Sequence, residues 1–351
     1  MSIVAALLVA VAIILFLVKS RGNYLRLPEI TSGGGLHSIT VIIPARNEER
    51  NIERAVRSFR QNVIVVDDAS TDRTAELAHS AGASVIQAPP LKPGLLGKPN
   101  ACLAGAHASQ SDWLLFVDAD TWFEPSFAPA LVSYADHQSL DMASVFLKQE
   151  CITAIERILL PYAFALYFCG VHAESVNSAK SPEALANGQC LLFRRAAYDS
   201  LGGHASVAGS VIEDVALARV AKQRGLRTRV LRAEKLGHVR MYDSFAAIWR
   251  GFQKNSFRFL LVNPLSGLQV IAASILLTSY LPLLIWLLSD RHYVAALVFA
   301  LVPPASLVPW YERTRDAALS PIAIYVFQLI ALNGMLTTLL RRKTNWKGRH
   351  V

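Results

Sequence analysis

Two aspartates one residue apart close an apolar run in WLLFVDADTWFEP, residues 113–125. In an extended segment residues i and i+2 point to the same side, so Asp118 and Asp120 can face one ligand together. Mg2+ and Mn2+ prefer oxygen donors and are commonly held by one or two carboxylates, with phosphate oxygens and water completing the shell. The pair therefore reads as a clamp for a divalent cation on a diphosphate. A bare DxD is a short motif. Its setting strengthens it, because an apolar strand leads into it and a second such strand upstream ends on VVDD, residues 65–68.

Other polar clusters admit two readings each. In GSVIEDVALARVAKQRG, Glu213 and Asp214 open a helix whose Val215, Leu217, Ala218 and Ala221 can pack inward. Acidic residues suit a helix start through the dipole alone, so the pair is explained by helix stability as well as by acid-base chemistry. Asp67 and Asp68 in DDASTD can cap the next helix or bind a ligand. In ANGQCLLFRR and LGGH, Gly188, Gly202 and Gly203 suggest either close backbone approach to a ligand or tight turns. The neighbouring Asn187, Gln189 and His204 are weaker candidates, and His204 also reads as a loop histidine without chemical duty. The four cysteines show no ligand spacing and read as buried thiols.

The elements that must position these groups alternate. ITVIIPA, VIVVDD, SVIQA and WLLFVD read as strands, separated by helical patterns such as EERNIERAVRSFRQ, where Ile52, Ala55, Val56 and Phe59 recur at helical spacing. Short apolar strands alternating with helices imply a doubly wound α/β fold with a mostly parallel sheet. Ligands in such sheets sit beyond the carboxyl ends of the strands. Arg46 and Glu48 after the first strand, Asp67 and Asp68 after the second and Asp118 and Asp120 after the fourth all fall on that edge.

The chain of 351 residues is 53% hydrophobic and 17% charged, more apolar than an ordinary soluble domain. Ile3 to Val18 is unbroken apolar sequence, and three further apolar stretches occupy Gly267–Leu288, Tyr293–Val308 and Pro321–Leu340. No Lys or Arg precedes the first run and KSRGNYLR follows it, so an uncleaved anchor with the large domain on the cytoplasmic side is expected. The net charge of +9 sits largely beside apolar segments, which fits an anionic leaflet. Nucleic-acid binding would want a basic patch with aromatic platforms, and the sequence has none.

VIIPARNEE, VIVVDDASTDRTAELA, GKPNA, LLFVDAD, NGQCLLFRR, LGGH and VIEDVALA, in this order, resemble the family-2 inverting glycosyltransferases of the GT-A fold over about residues 38 to 260. The tail, RMYDSFAAIWRGFQKN and the terminal NWKGRHV are similar to bacterial membrane enzymes of the carotenoid and hopanoid glycosylation type. The resemblance implies that Pro44, Ala45, Arg46 and Glu48, with Asp68, hold the nucleotide of a UDP-sugar, and that Lys98 approaches the base or the diphosphate. It implies Asp118 and Asp120 as holders of Mg2+ or Mn2+, and Asp214 as the base on the acceptor side with Glu213 as its neighbour. The stretch containing Asn187, Gly188, Gln189 and His204 would line the acceptor pocket.

Residues 1–20 are then expected as a membrane anchor, 36–240 as the GT-A domain, 241–262 as an interfacial amphipathic helix, 263–342 as membrane helices and 343–351 as a basic cytoplasmic tail. Phe245, Ile248, Trp249 and Phe252 share one face of the amphipathic helix, where Trp249 and Lys254 could cover the diphosphate or contact an acceptor. The QxxRW motif of processive relatives is missing, which favours a small lipid acceptor over a growing polymer. If all three C-terminal stretches cross, the basic tail ends outside, against the positive-inside rule. Tyr293–Val308 is expected to turn back as a re-entrant hairpin, because VPPASLVP breaks a helix; ERTRDA, which follows, could tolerate the outer face. The expected activity is hexose transfer from a UDP-sugar to a lipid-like acceptor at an inner membrane. The competing readings are a polyprenyl-phosphate glycosyltransferase, a polysaccharide synthase, or a non-catalytic nucleotide-sugar-binding scaffold.

Overall fold

The computed structural model describes residues 3–35, 37–91, 95–210, 212–262 and 264–340, and the short pairs 345–346 and 349–350. Side chains 254–262 and the tail 341–351, including the expected basic segment, lie outside the described side chains. Helix α1 (Ile3–Leu25) runs seven residues past the apolar run. It leads into a seven-stranded sheet of order β3-β2-β1-β4-β8-β6-β9. These strands are β1 (Ile39–Ala45), β2 (Asn62–Asp67), β3 (Ser84–Gln87), β4 (Trp113–Val117), β6 (Met142–Phe146), β8 (Cys190–Arg194) and β9 (Thr228–Arg232). A smaller sheet joins β5 (Thr121–Phe123), β7 (Lys148–Gln149) and β10 (Gly237–Val239).

Strands β1 to β4 pair in parallel, and β8 runs antiparallel between β4 and β6. Because side chains alternate across a strand, Val41 and Ile43 enter one core and Ile42 the other. The first core receives α2 (Ile52–Arg57), α3 (Thr74–Ser80) and α5 (Phe127–His137) through Ala55, Ala78 and Leu131. The second receives α4 (Gly97–His107), and across the sheet α8 (Arg195–Leu201) and α9 (Glu213–Gln223). Burial on both faces accounts for the unbroken apolar runs of β1 and β4.

The long helix α6 (Ala154–Cys169) joins this domain to the apolar helices. Thr153 accepts the Glu156 N–H and the Glu156 carboxylate reaches back, a capping box that fixes where the helix starts. Its Leu159, Leu160 and Tyr162 meet Ile13 and Leu17 of α1 in one core. Ser20 and Asn23 of α1 donate to the carbonyls of Ala165 and Phe168 at 2.5 and 3.0 Å. After the short α7 (Ala173–Val176) and the α/β elements above come α10 (Phe245–Val262), α11 (Pro264–Thr278), α12 (Tyr280–Ser289), α13 (Tyr293–Leu307), α14 (Thr314–Ala317) and α15 (Ser320–Leu339). Four stretches among the described residues are long and apolar enough to cross a membrane: α1, α11–α12, α13 with the turn after it, and α15.

Pro282 cannot donate to Thr278 O, four residues back, and the chain breaks between α11 and α12. The Tyr325 hydroxyl fills the gap, donating to Thr278 O and accepting the Leu281 N–H, both at 2.9 Å. The hairpin expected in Tyr293–Val308 does not form: α13 continues through Pro303 and Pro304. The reason is local, since Ala300 O, which Pro304 cannot bond, accepts the Tyr280 hydroxyl at 3.0 Å. Nor does ERTRDA face away from the α/β domain. Glu312 pairs with Lys148 at 3.1 Å, Asp316 with Arg157 at 3.1 Å, and the Tyr311 hydroxyl donates to Ile158 O at 2.9 Å.

Candidate functional site

The carboxyl ends of β1, β2 and β4 open into a cavity of about 1590 Å³. Pro44, Ala45, Arg46, Glu48, Asp68, Lys98, Asp118 and Asp120 line its polar half, together with Asn187, Gly188, Gln189, Glu213 and Asp214. The chain turns sharply here: Asn47 and Ala69, the second residues beyond β1 and β2, hold left-handed backbone at φ 54° and 57°. Arg46 donates to Asp68 O at 2.9 Å and thereby ties the two turns together. Asp67 is used locally, accepting the Ser70 N–H at 3.2 Å, which leaves Asp68 as the member of the pair on the cavity wall.

Lys98, in the first turn of α4, lies 2.6 Å from Asp118, 3.8 Å from Glu213 and 3.1 Å from Gly188 O. Burial opposes its charge, but Asp118 and Glu213 prevail and hold its pKa above the ordinary lysine range. Asp214 accepts the Gly188 N–H at 2.7 Å and its own neighbour's, Val215, at 2.8 Å. Burial pushes the Asp214 carboxyl up to about 6, with Glu213 adding to the shift and Lys98 opposing it. A β-carbon on Gly188 would sit 3.2 Å from both Lys98 Nζ and Asp214 Oδ2, so a side chain there would push the lysine or the carboxylate aside by a few tenths of an ångström. Asn187 and Gln189 are bonded to each other, Asn187 Nδ2 donating to Gln189 Oε1 at 3.0 Å. Gly202 and Gly203 are turn glycines, at φ 76° and 54°.

Asp118 and Asp120 offer only oxygen, and Lys98 occupies one oxygen of Asp118. Among the described residues no group of three His, Cys, Asp or Glu gathers to hold an ion. Two carboxylates at a cavity wall suit a hard cation that takes its remaining ligands from a diphosphate and water. They do not suit a closed structural site.

The other half of the cavity is apolar. Phe164 and Tyr167 of α6, Phe252 of α10, Ile271 and Ile275 of α11 and Leu332 of α15 are among its walls. Ile275 is 66% exposed and Leu332 49%, so this half opens sideways between α11 and α15. Gln328 Nε2 donates to Ser274 Oγ at 2.7 Å across that opening.

Two expected acceptor contacts, His204 and Trp249, are not brought to the cavity wall. His204 is 2% exposed, bonded at 2.8 Å to the Tyr198 hydroxyl and packed on Phe116; burial pushes its pKa down to about 3, so it is a neutral core residue. Trp249 stacks at a tilt on Phe245 at 5.8 Å and is absent from the cavity lining. The Lys254 side chain lies outside the described residues. Conversely, Arg54, Arg240 and the α6 residues line the cavity, and the sequence reading missed them. For α6 a signal existed: Thr153-x-x-Glu156 before an apolar run is a helix-start signature.

Residues 40–202 match the sequence profile of Glycosyl transferase family 2. A 4,4'-diaponeurosporenoate glycosyltransferase of Staphylococcus haemolyticus is 31% identical over 252 residues, covering 68% of this chain and 66% of that protein. Its namesake in Staphylococcus aureus is 28% identical over 62% of this chain and 60% of its own length. The chain thus spans just under two thirds of the first relative's length and three fifths of the second's. A mannosyltransferase from Pyrobaculum calidifontis, solved in complex with GDP-Man and Mn2+, superposes with a TM-score of 0.58 over 97% of this chain and 99% of its own, at 15% identity. That likeness establishes the fold.

Proposed function

The chain carries a glycosyl transferase family 2 domain of GT-A fold, and on that premise we propose that it moves a hexose from a UDP-sugar to the hydroxyl or carboxyl end of an apolar lipid. The observation that carries this reading is the continuity of one cavity from the carboxylates at the strand ends to a wall that opens beside apolar helices. Its polar half fits the donor. Asp68 is placed to accept an N–H of the base, uracil N3–H in the preferred case, and the ends of β1 and β2 flank the ribose. A divalent cation held by Asp120 and the free oxygen of Asp118 would neutralise charge on the departing diphosphate.

On the acceptor side Asp214 is the base. A carboxyl raised to about 6 is largely ionised at neutral pH yet basic enough to take a proton from an attacking hydroxyl. Attack from the face opposite the diphosphate makes the transfer inverting. Glu213 raises the Asp214 pKa, and Lys98 spans the two carboxylate groups without entering the transfer. The acceptor chain lies in the apolar half and enters sideways, so its reactive end meets Asp214 while its tail stays in lipid.

The same reading sets the topology. The loop 311–316 is tied to the catalytic domain. At the other end of α15, Gln253 of α10 donates to Thr337 at 3.0 Å. With three crossings, α1, α11–α12 and α13, loop 311–316 shares the side of the catalytic domain, which the basic KSRGNYLR after the first apolar run assigns to the cytoplasm, and α15 returns to the side it started from. Single cysteines at Arg291 and Arg313 test this: the first should label from outside and the second only after permeabilisation, and the reverse pattern would overturn it.

The activity is tested by UDP release from UDP-hexose in vesicles holding apolar alcohols or carboxylic acids, comparing wild type with Asp214→Asn. Turnover by wild type alone is expected. Equal turnover would remove Asp214 as base, and no turnover with any lipid acceptor would favour a nucleotide-sugar-binding scaffold. Turnover confined to polyprenyl phosphate or a glycan would move the acceptor assignment to those classes.

A further inference from the structure

We propose that Arg240, with Arg54 beside it, forms a fixed cationic cradle for the nucleotide diphosphate that works independently of the divalent cation. The proposal rests on the sugar-nucleotide reading above and adds two residues that no motif marked. Arg240 follows β10 and lines the cavity. Its backbone N–H donates to Asp120 O at 3.2 Å, so it stands at the edge that carries the metal-binding carboxylate.

The guanidinium is held from behind. Nη2 donates to Glu156 Oε1 at 2.9 Å, and Glu156 is fully buried and already engaged in the capping box of α6. Arg240 Nε is buried without a hydrogen-bond partner. Arg54 reaches the same place from α2, its guanidinium 3.5 Å from the centroid of Trp122, which in turn stacks on His238 at 5.5 Å and 11°. Burial, and then the charge of Arg240, lower the Arg54 pKa, while Asp120 opposes that shift; the two guanidinium groups and the carboxylate lie within each other's field.

Two like charges held close in a partly buried wall repel one another, and an anion between them removes the conflict. A guanidinium presents a planar fork that matches phosphate oxygens, and its charge persists at any working pH. The anion this cavity is shaped to receive beside Asp120 is a diphosphate. The cradle would hold the leaving group in place as the bond to the sugar lengthens, and a cation held by Asp120 would add to the neutralisation of its charge.

The competing explanation is that Arg240 only locks the start of α6 through Glu156. Titration of the purified full-length protein with UDP and with UMP, both in EDTA, separates the two. Wild type should prefer UDP. Arg240→Gln should lose that preference by about tenfold while UMP binding stays unchanged. Glu156→Gln, which weakens the hold on the guanidinium but leaves its charge in the cavity, should lose only a minor part of it. A preserved UDP to UMP ratio in Arg240→Gln, or an equal loss in Glu156→Gln, would overturn the proposal. If Arg240→Gln binds neither nucleotide, Arg240→Lys decides: it should bind UMP normally and UDP more weakly than wild type, and wild-type affinity for both would count against the cradle. A wild type that binds neither nucleotide would sink the donor reading itself, and the cradle with it.

Discussion

The two halves of the cavity are built on different principles. The donor half is assembled from strand ends, where each turn is fixed by backbone bonds and by one side chain, such as Arg46 on Asp68 O. Its polar groups are mutually engaged and leave little room for rearrangement. The apolar half is assembled from four helices, α6, α10, α11 and α15, with few polar contacts, chief among them Ser274 with Gln328 and Gln253 with Thr337. Specificity for a charged nucleotide needs convergent donors and acceptors. Accommodation of an apolar chain needs volume and an open side.

Substitutions should therefore separate by half. Asp214→Asn, at the seam, should lower kcat by about 10² to 10⁴ while leaving UDP affinity intact, measured by single-turnover transfer beside nucleotide titration. Asp120→Asn should cost on the order of a hundredfold in kcat and abolish stimulation by added Mn2+. A metal titration with undiminished stimulation would break the assignment of the donor half.

The pH dependence tests the seam itself. Since Asp214 must be ionised to act, kcat should rise with pH and reach half its plateau near 6. Stability should run the other way. A carboxyl whose pKa is raised on folding favours the fold most below its unfolded value, about 4, and that contribution is lost as pH climbs through about 6. Thermal melts should accordingly show Asp214→Asn at least as stable as wild type at pH 8. Ala331 of α15 also lines the cavity, and Ala331→Trp should raise the acceptor KM by about tenfold through lost volume, with the donor KM unmoved. Trp249→Ala should change kcat by less than about twofold, since Trp249 packs away from the cavity.

The polar half of the cavity was legible in the sequence and the apolar half was not, for a physical reason. Strand ends place chemistry at fixed offsets from apolar runs, so VVDD and LLFVDAD announce both the sheet and its working edge. Lys98 was expected near the nucleotide, but its pairing with Asp118 and Glu213 depends on the approach of α4 to Gly188, which no spacing encodes. The acceptor half is made of residues that look like any membrane helix. Phe164, Ile271 and Leu332 acquire their role only when α6, α11 and α15 meet. The double proline of α13 misled for a related cause. Proline removes one donor, and whether the helix survives is decided by a hydroxyl twenty residues away. His204 was misplaced because a histidine after two glycines resembles an exposed loop, whereas Tyr198 and Phe116 enclose it.

Helix α6 belongs to both halves: it starts on a capping box beside Arg240 and ends against α1, with its apolar side buried in the core it shares with α15. Severing the tail to obtain a water-soluble fragment would therefore strip Leu159, Tyr162 and Ala163 of their cover and leave a sticky apolar surface. Fragments ending near residue 240 should aggregate on purification, whereas the intact chain stays dispersed in detergent. The border between enzyme and membrane anchor runs through the middle of a helix, and no single cut can follow it.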